Sequence, residues 1–397
     1  MSHPVKLRVR DDLARRRWTV FLRLLLALPH IVWVALWGIV AFLAGLANGV
    51  ATLVRGTSPA PLHRFLAAYV RYTTHVTAYL SLLAEPYPSF VGRPGYAVDV
   101  ELAPPAPQNR WTVAFRIVLM LPAALMAGAL AGGLSGGSGA STAGGLLSSV
   151  AFLGWFAALV RGRMPRGLRD AGAYGLAYSA QLGAYALVLT DRYPNSDPQA
   201  ALEDLPPLEH PVRLEVDDDL RRSRLTVFFR LLLALPHLVW LQLWGIAALF
   251  ALVASWFATL ARGTTPAALH RFLSSYVRYQ THVYAFAALT ANPFPGFTGR
   301  AGSYPVDLVV AERARQNRWT VGFRLVLAIP ALLLAGAYGG VLLVAALLGW
   351  FAALARGRMP LGLRNAGALA LRYTAQTYAY VLLLTDRYPY GGPTAAA

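Results

Sequence analysis

The chain has 397 residues, no cysteine, 56% apolar residues and only 14% charged ones, whereas a soluble domain carries about 25% charged residues. With a mean hydropathy of +0.47, this composition excludes a disordered chain and points to a bilayer as solvent. The missing cysteine excludes a disulfide framework, a thiolate metal site and a cysteine nucleophile. The formal charge of +18 is almost all arginine, with Lys6 the sole lysine. Such a charge favours an anionic partner. Uncharged stretches such as 31–54 make acidic lipid head groups the better candidate than nucleic acid.

From the N-terminus, VKLRV at 5–9 alternates apolar and polar residues, and similar segments return at 98–102, 212–216 and 306–310. They read either as short strands pairing into a small surface sheet or as extended linkers, since an isolated strand pair is marginal. After Arg15, Arg16 and Arg17 comes an apolar run over 18–54, too long for a signal-peptide core. As one straight helix it would be about 55 Å long, against a hydrocarbon core of about 30 Å. It is therefore expected either as an apolar helical hairpin or as a long helix kinked at Pro29. The run beginning at 111 favours the hairpin, because GGLSGGSG at 132–139 and the glycines at 144 and 145 would leave polar backbone unsatisfied in hydrocarbon. An Arg-Gly turn follows, and then a second helix over 62–84.

Self-comparison shows that the chain is a repeat within a repeat. RLLLALPH at 23–30 recurs at 230–237, LHRFL at 62–66 recurs at 269–273, and RWTV at 17–20 recurs at 110–113 and 318–321. The organisation expected is a first tandem copy over 1–194 (units 1–95 and 96–194) and a linker over 195–210. A second copy over 211–390 (units 211–303 and 304–390) and a disordered tail over 391–397 complete it. The fold class is mainly α and integral to a membrane, with about eight membrane segments and a small surface β-sheet.

The second helix is the polar exception. At 100° per residue Arg64, Arg71 and His75 share one stripe, as do Arg271, Arg278 and His282. Gln181, and Arg372 with Gln376, occupy the matching places in the other units. Glutamine does not titrate, so His75 and His282 read as a hydrogen-bonding layer rather than a proton relay. The arginines read as phosphate contacts or, alternatively, as an anion-binding site. Such a helix either lies in the membrane interface or spans with its stripe turned inward. His30 and His237 follow a proline in the apolar run and read as satisfied helix histidines, with no accompanying ligand pattern. Asp217, Asp218 and Asp219 read as a helix-capping run. The repeated turns at Arg55, Arg161, Arg262 and Arg356 each have glycine next and proline four residues on. Proline presets the following helix, and the guanidinium suits phosphate.

RLLLALPH at 23–30, RGRMP at 161–165 and TDRYP at 190–194 resemble the bacterial membrane proteins grouped as domain of unknown function 4389, in two tandem copies. This chain departs from that pattern at Ala123 and Ala331, which replace the histidine, and at 85–88, where EPYP lacks the Asp-Arg pair. The resemblance implies an integral membrane protein and supplies no activity or catalytic residues. No catalytic constellation, metal site or cofactor motif is found. The function expected is that of a non-enzymatic lipid-interacting scaffold or membrane-organising module in the bacterial inner membrane, multi-pass, with anionic lipids as partners. The rival is a transporter or channel with an Arg/His/Gln-lined path.

Overall fold

The computed structural model describes residues 3–132, 144–203, 205–207 and 209–395. The chain divides into two compact units, Met1–Leu205 and Pro206–Ala397, so the break falls inside the proline-rich 195–210 segment. Each unit holds two repeats of one order: strand, one-turn helix, long apolar helix, second helix. The first unit runs β1 (Val5–Val9), α1 (Arg17–Phe21), α2 (Arg23–Arg55), α3 (Ala60–Leu80), β2 (Val98–Leu102), α4 (Arg110–Ala114), α5 (Arg116–Ala131), α6 (Leu146–Arg161) and α7 (Arg166–Ala186). The second runs β3 (Val212–Val216), α8 (Arg224–Phe228), α9 (Arg230–Arg262), α10 (Ala267–Ala287), β4 (Val306–Val310), α11 (Arg318–Gly322), α12 (Arg324–Arg356) and α13 (Leu361–Val381).

The strand reading holds, with one change. The strands form two separate antiparallel pairs, β1 with β2 and β3 with β4, centred on Leu7↔Val100 and Leu214↔Leu308. A lone pair survives because Val5, Leu7, Val98 and Val100 are buried against the second helices.

The apolar run is not a hairpin. In three repeats it is one helix of 33 residues that passes through Pro29, Pro236 or Pro330. Proline near a helix start removes one backbone bond of many. In the remaining repeat the run is two helices of 16 residues, α5 and α6, that meet end to end. Ser148 Oγ donates to Ala131 O at 3.1 Å, and Gly132 touches Gly145 so closely that neither accepts a Cβ. The start of α5 packs on Tyr185 at one end of α7, while Gly154 of α6 packs on Met164 at the other. A hairpin would bring both to one end. The glycine-rich stretch that suggested a hairpin is an insertion into a continuous helix, and its residues 133–143 lie outside the described residues.

Among the described residues three helices are therefore long and apolar enough to cross a bilayer, Arg23–Arg55, Arg230–Arg262 and Arg324–Arg356, in place of the eight or so segments expected. The second helices are internal. They carry arginine, histidine, glutamine and tyrosine, and they are buried along most of their length.

Each long helix ends in the same way. Gly56, Gly162, Gly263 and Gly357 take a left-handed conformation, closing the helix with an N–H bond to the carbonyl four residues back. Proline at 59, 165, 266 and 360 then caps the second helix. The second helices close on left-handed Leu82, Val188, Leu289 and Leu383, a conformation that costs a non-glycine residue about 1–2 kcal/mol. The exposed carbonyls at these positions are used. Arg15 donates from Nε and Nη2 to Leu82 O at 3.0 and 2.8 Å, and Gln108 donates to Val188 O at 2.9 Å. Arg222 and Gln316 do the same at Leu289 and Leu383.

The two repeats of a unit interlock reciprocally. Arg15 N donates to Gly162 O, and Gln108 N donates to Gly56 O. Arg17 reaches Val160 O at 3.0 Å, and Arg110 reaches Val54 O at 3.0 Å. The second unit repeats both pairs through Arg222, Gln316, Arg224 and Arg318. At each end of a unit, the start of one long helix thus lies beside the finish of the other. The repeats are related by a pseudo-twofold axis normal to the strand pair.

Residues 391–394, expected to be part of a disordered tail, are instead buried. Tyr338 donates to Gly391 O, and Arg372 donates to Thr394 Oγ1 and Gly392 O.

Excising 133–145 joins Gly132 to Leu146 and restores the continuous helix of 33 residues that α12 shows. The shortened protein is expected to keep its helical circular dichroism in detergent, with a thermal midpoint no lower than that of the full chain. Loss of cooperative unfolding would show that the two helices are not segments of one.

Candidate functional site

Two layers of residues stand out in each unit: a polar seam between the second helix and the strands, and an apolar surface on the long helices with guanidinium groups at its ends.

The seam is built on α3 and α10. Arg71 Nε donates to Val100 O at 3.2 Å and lies 3.6 Å from Asp99 Oδ1. His75 Nε2 donates to the same oxygen at 2.8 Å. Burial works against a charge on Asp99, but hydrogen bonds from His75, Gly95 N and Val100 N outweigh it and hold the carboxyl below its usual range. In the second unit Arg278 donates to Leu308 O at 2.9 Å, and His282 meets Asp307 at 2.9 Å. Tyr96 and Tyr304 lie against the two imidazoles. In the other two repeats glutamine bridges helix to strand. Gln181 donates to Val5 O and accepts from Asn195 N, and Gln376 donates to Val212 O and accepts from Tyr390 N.

The sequence stripe therefore divides. Arg71, His75, Arg278, His282, Gln181 and Gln376 come together with the strands inside each unit, the two arginines partly exposed and the others buried. The arginines at 71 and 278 bind carbonyls and aspartate where lipid phosphate was expected. Arg64 and Arg271 lie exposed, off the seam. Arg372 is buried against the C-terminal segment, and desolvation pushes it down to about 10. Arg55, Arg161, Arg262 and Arg356 are exposed at the ends of the long helices.

His30 and His237 are fully buried. Their Nδ1 atoms meet Tyr72 Oη and Tyr279 Oη at 2.7 and 2.8 Å, and Phe90 and Phe297 stack on the rings. The expected satisfied histidine is thus met at Nδ1 only, since the buried Nε2 atom of each ring has no hydrogen-bond partner. A cleft of about 350 Å³ opens in the first unit, lined in part by His63, Gln108, Thr190, Asp191 and Arg192. Its carboxylate is already engaged, since Asp191 accepts from Asn109 N and Thr112 Oγ1.

Sequence reasoning missed a second set of arginines. Arg23 donates to Tyr79 O, Ala84 O and Glu85, with its guanidinium 4.4 Å from the Tyr79 ring centre. Arg116, Arg230 and Arg324 make the equivalent cage on Tyr185, Phe286 and Tyr380. The signal was present: arginine opens the long helix in all four repeats. The aspartates of the seam, Asp99 and Asp307, were also missed.

The outer surface is apolar along the whole of each long helix. On α2 the buried positions are 23, 27, 30, 41, 48 and 52, one narrow stripe. More than a dozen large apolar side chains between Leu24 and Val54 are exposed. Trp18, Trp111 and Trp319 are 79%, 74% and 77% exposed at the helix entrances, next to Arg17, Arg110 and Arg318.

Four segments, 17–92, 140–196, 224–298 and 318–392, match the family model described as Domain of unknown function (DUF4389). Together they cover more than half of the chain, one segment per repeat, and the chain belongs to this family. The second match begins at 140, within the insertion that divides the long helix of that repeat. No curated protein and no solved structure matches the chain.

Burial pushes His282 below the usual histidine value of 6.5; Asp307 pulls it back up, and Arg278 adds to the lowering. The unfolded chain then binds the proton more readily than the folded one, so stability falls as pH drops below 6.5. Replacing His282 by Gln, the residue of the matching place at 376, is expected to make the thermal midpoint in detergent less steep between about pH 7 and pH 5. An unchanged slope would contradict this.

Proposed function

We propose that this member of the DUF4389 family is a non-enzymatic, lipid-interacting module that organises the bacterial cell membrane, with anionic lipid as its partner. The observation that carries the reading is the exposed apolar surface of the long helices. Removing a leucine or phenylalanine side chain from water is worth about 1.5–3 kcal/mol. The exposed set on α2 alone thus favours hydrocarbon by some 20 kcal/mol or more, and no helix carrying it is expected to stay in water. Guanidinium groups add about 1 kcal/mol each near an anionic surface. Apolar insertion therefore supplies the affinity, while the arginines choose the lipid.

Arg16, Arg17, Arg161 and Arg163 are exposed together at one end of the first unit. Tryptophans beside them suit head-group level. The seam fits a structural role: its carboxylates and amides, and one nitrogen of each imidazole, are engaged with each other and with backbone.

In a neutral detergent, adding phosphatidylglycerol is expected to raise the thermal midpoint, by less as salt is added. Replacing Arg16, Arg161 and Arg163 together by Gln should weaken the apparent lipid affinity about 100-fold. Indifference to lipid charge would remove the lipid assignment. A chain monodisperse in buffer without detergent would remove the membrane reading altogether.

A further inference from the structure

Resting on the membrane reading above, we infer that the long helices lie along the bilayer plane within a single leaflet, with the strand pair of each unit facing water. The geometry within a unit leads there in three steps.

The pseudo-twofold axis stands normal to the strand pair, because antiparallel strands centred on Leu7↔Val100 exchange only about such an axis. Under that rotation the starts of the two long helices share one height along the axis, and so do their finishes. Yet start and finish lie side by side: Trp155 Nε1 of α6 donates to Val20 O at 3.2 Å, and Arg110 reaches Val54 O. Start and finish therefore share one height within a side chain's length. A helix of 33 residues is about 50 Å long, so it runs nearly perpendicular to the axis and parallel to the sheet. The second unit carries the same contacts, Trp350 to Val227 O at 3.0 Å and Trp256 to Val321 O at 2.9 Å.

Long helices and sheet must thus tilt together. If the helices stood upright, the sheet would stand upright at mid-depth. Its outer face is charged: Arg8 pairs with Glu101 at 3.0 Å, and Lys6 and Arg8 approach Glu203 at 3.9 and 3.8 Å. Placing such groups in mid-bilayer costs about 2.5–3.5 kcal/mol per charge even on the lenient scale. Laid flat, the same sheet sits in water at no cost.

Length agrees. An apolar helix of about 50 Å fits a hydrocarbon core of about 30 Å only by tilting about 50°, beyond the usual range of 0–40°. Leu24 and Val54, near the two ends, are both 71% exposed, so the apolar surface has no polar end to leave the membrane. In the flat arrangement Arg16, Arg55, Arg161 and Arg163 all meet phosphates of one leaflet. The occupant of the apolar face is the acyl layer of that leaflet, to a depth of about 5–10 Å.

Leu25, Val32, Ile39 and Val50 form one exposed stripe on α2 opposite its buried side, spread over about 38 Å of helix. In this cysteine-free chain, each is replaced singly by Cys, spin-labelled and reconstituted in vesicles of phosphatidylethanolamine and phosphatidylglycerol. Collision with oxygen and with a water-soluble nickel chelate then reports depth. The expected result is one shallow depth at all four positions. Depths running from one head-group layer through the centre to the other would overturn the inference and favour upright helices around an aqueous path. Labels accessible only to the nickel chelate would instead sink the membrane reading. Independently, Thr57→Cys, Arg163→Cys and Glu101→Cys, expressed in cells, are expected to share one pattern of labelling by an impermeant maleimide. Opposite protection of the first two would reject the flat arrangement.

Discussion

One residue in each repeat holds two chain ends together. Arg15, Gln108, Arg222 and Gln316 reach with the side chain to the left-handed carbonyl that ends their own second helix. With the backbone N–H each binds the glycine carbonyl of the Arg-Gly turn in the partner repeat. Arg15 and Arg222 are also forked by Asp11 and Asp218 at 2.7 Å on the shorter arm. A buried guanidinium is costly unless every donor is used, and here carboxylate and carbonyls use them. Breaking the node would strand a charge, which costs more than the pair itself gains. The unit of stability is therefore a pair of repeats, and the pairing sets the long helices antiparallel.

In hydrocarbon, as the membrane reading has it, helices would lack the usual reason to associate, because lipid tails are as apolar as leucine. The long helices are accordingly held by small and polar contacts along one stripe. Gly45 lies against Leu187, and Gly154 against Met164. Asn48 donates to Leu187 O at 2.9 Å and accepts from Ser58 at 2.6 Å. The arginine cages at Arg23, Arg116, Arg230 and Arg324 fix one end of each helix onto the close of the second helix. The rest of the circumference is free for solvent of the matching kind.

Much of this was legible in the sequence. Internal repetition, the alternating strands, the Arg-Gly-x-x-Pro turns and the stripe joining Arg71 to His75 are local patterns, and each is set by local geometry. What was hidden depends on distance in the chain. The partner of His75 is Asp99, and alternation in VDVEL says which residues face a helix without saying which helix. The continuity of the long helices was hidden by a general rule applied in the wrong place. Length argued for a break because a helix of 33 residues is longer than an upright crossing needs, yet length alone does not break a helix. Glycine in one repeat then seemed to confirm a turn, where it marks an insertion. Counting segments from that turn doubled the long helices, and counting the second helix as membrane overlooked that its polar stripe is covered by protein.

The difference between odd and even repeats sharpens the functional reading. His30, His63 and His75 stand in one repeat, and the matching places of the next hold Ala123, Arg169 and Gln181. At the seam the exchange keeps a donor bridging helix to strand and discards the titratable ring. A relay or a catalytic base would be lost by that exchange, whereas a hydrogen-bonded joint survives it. At the exposed positions of the long helices the exchange is freer still, leucine for isoleucine, valine or alanine. What all four repeats keep is the arginine that opens the long helix, the glycine that ends it and the proline that turns the chain back. These are the parts that hold an apolar helix parallel to a polar sheet, the geometry on which the proposed membrane-surface placement rests.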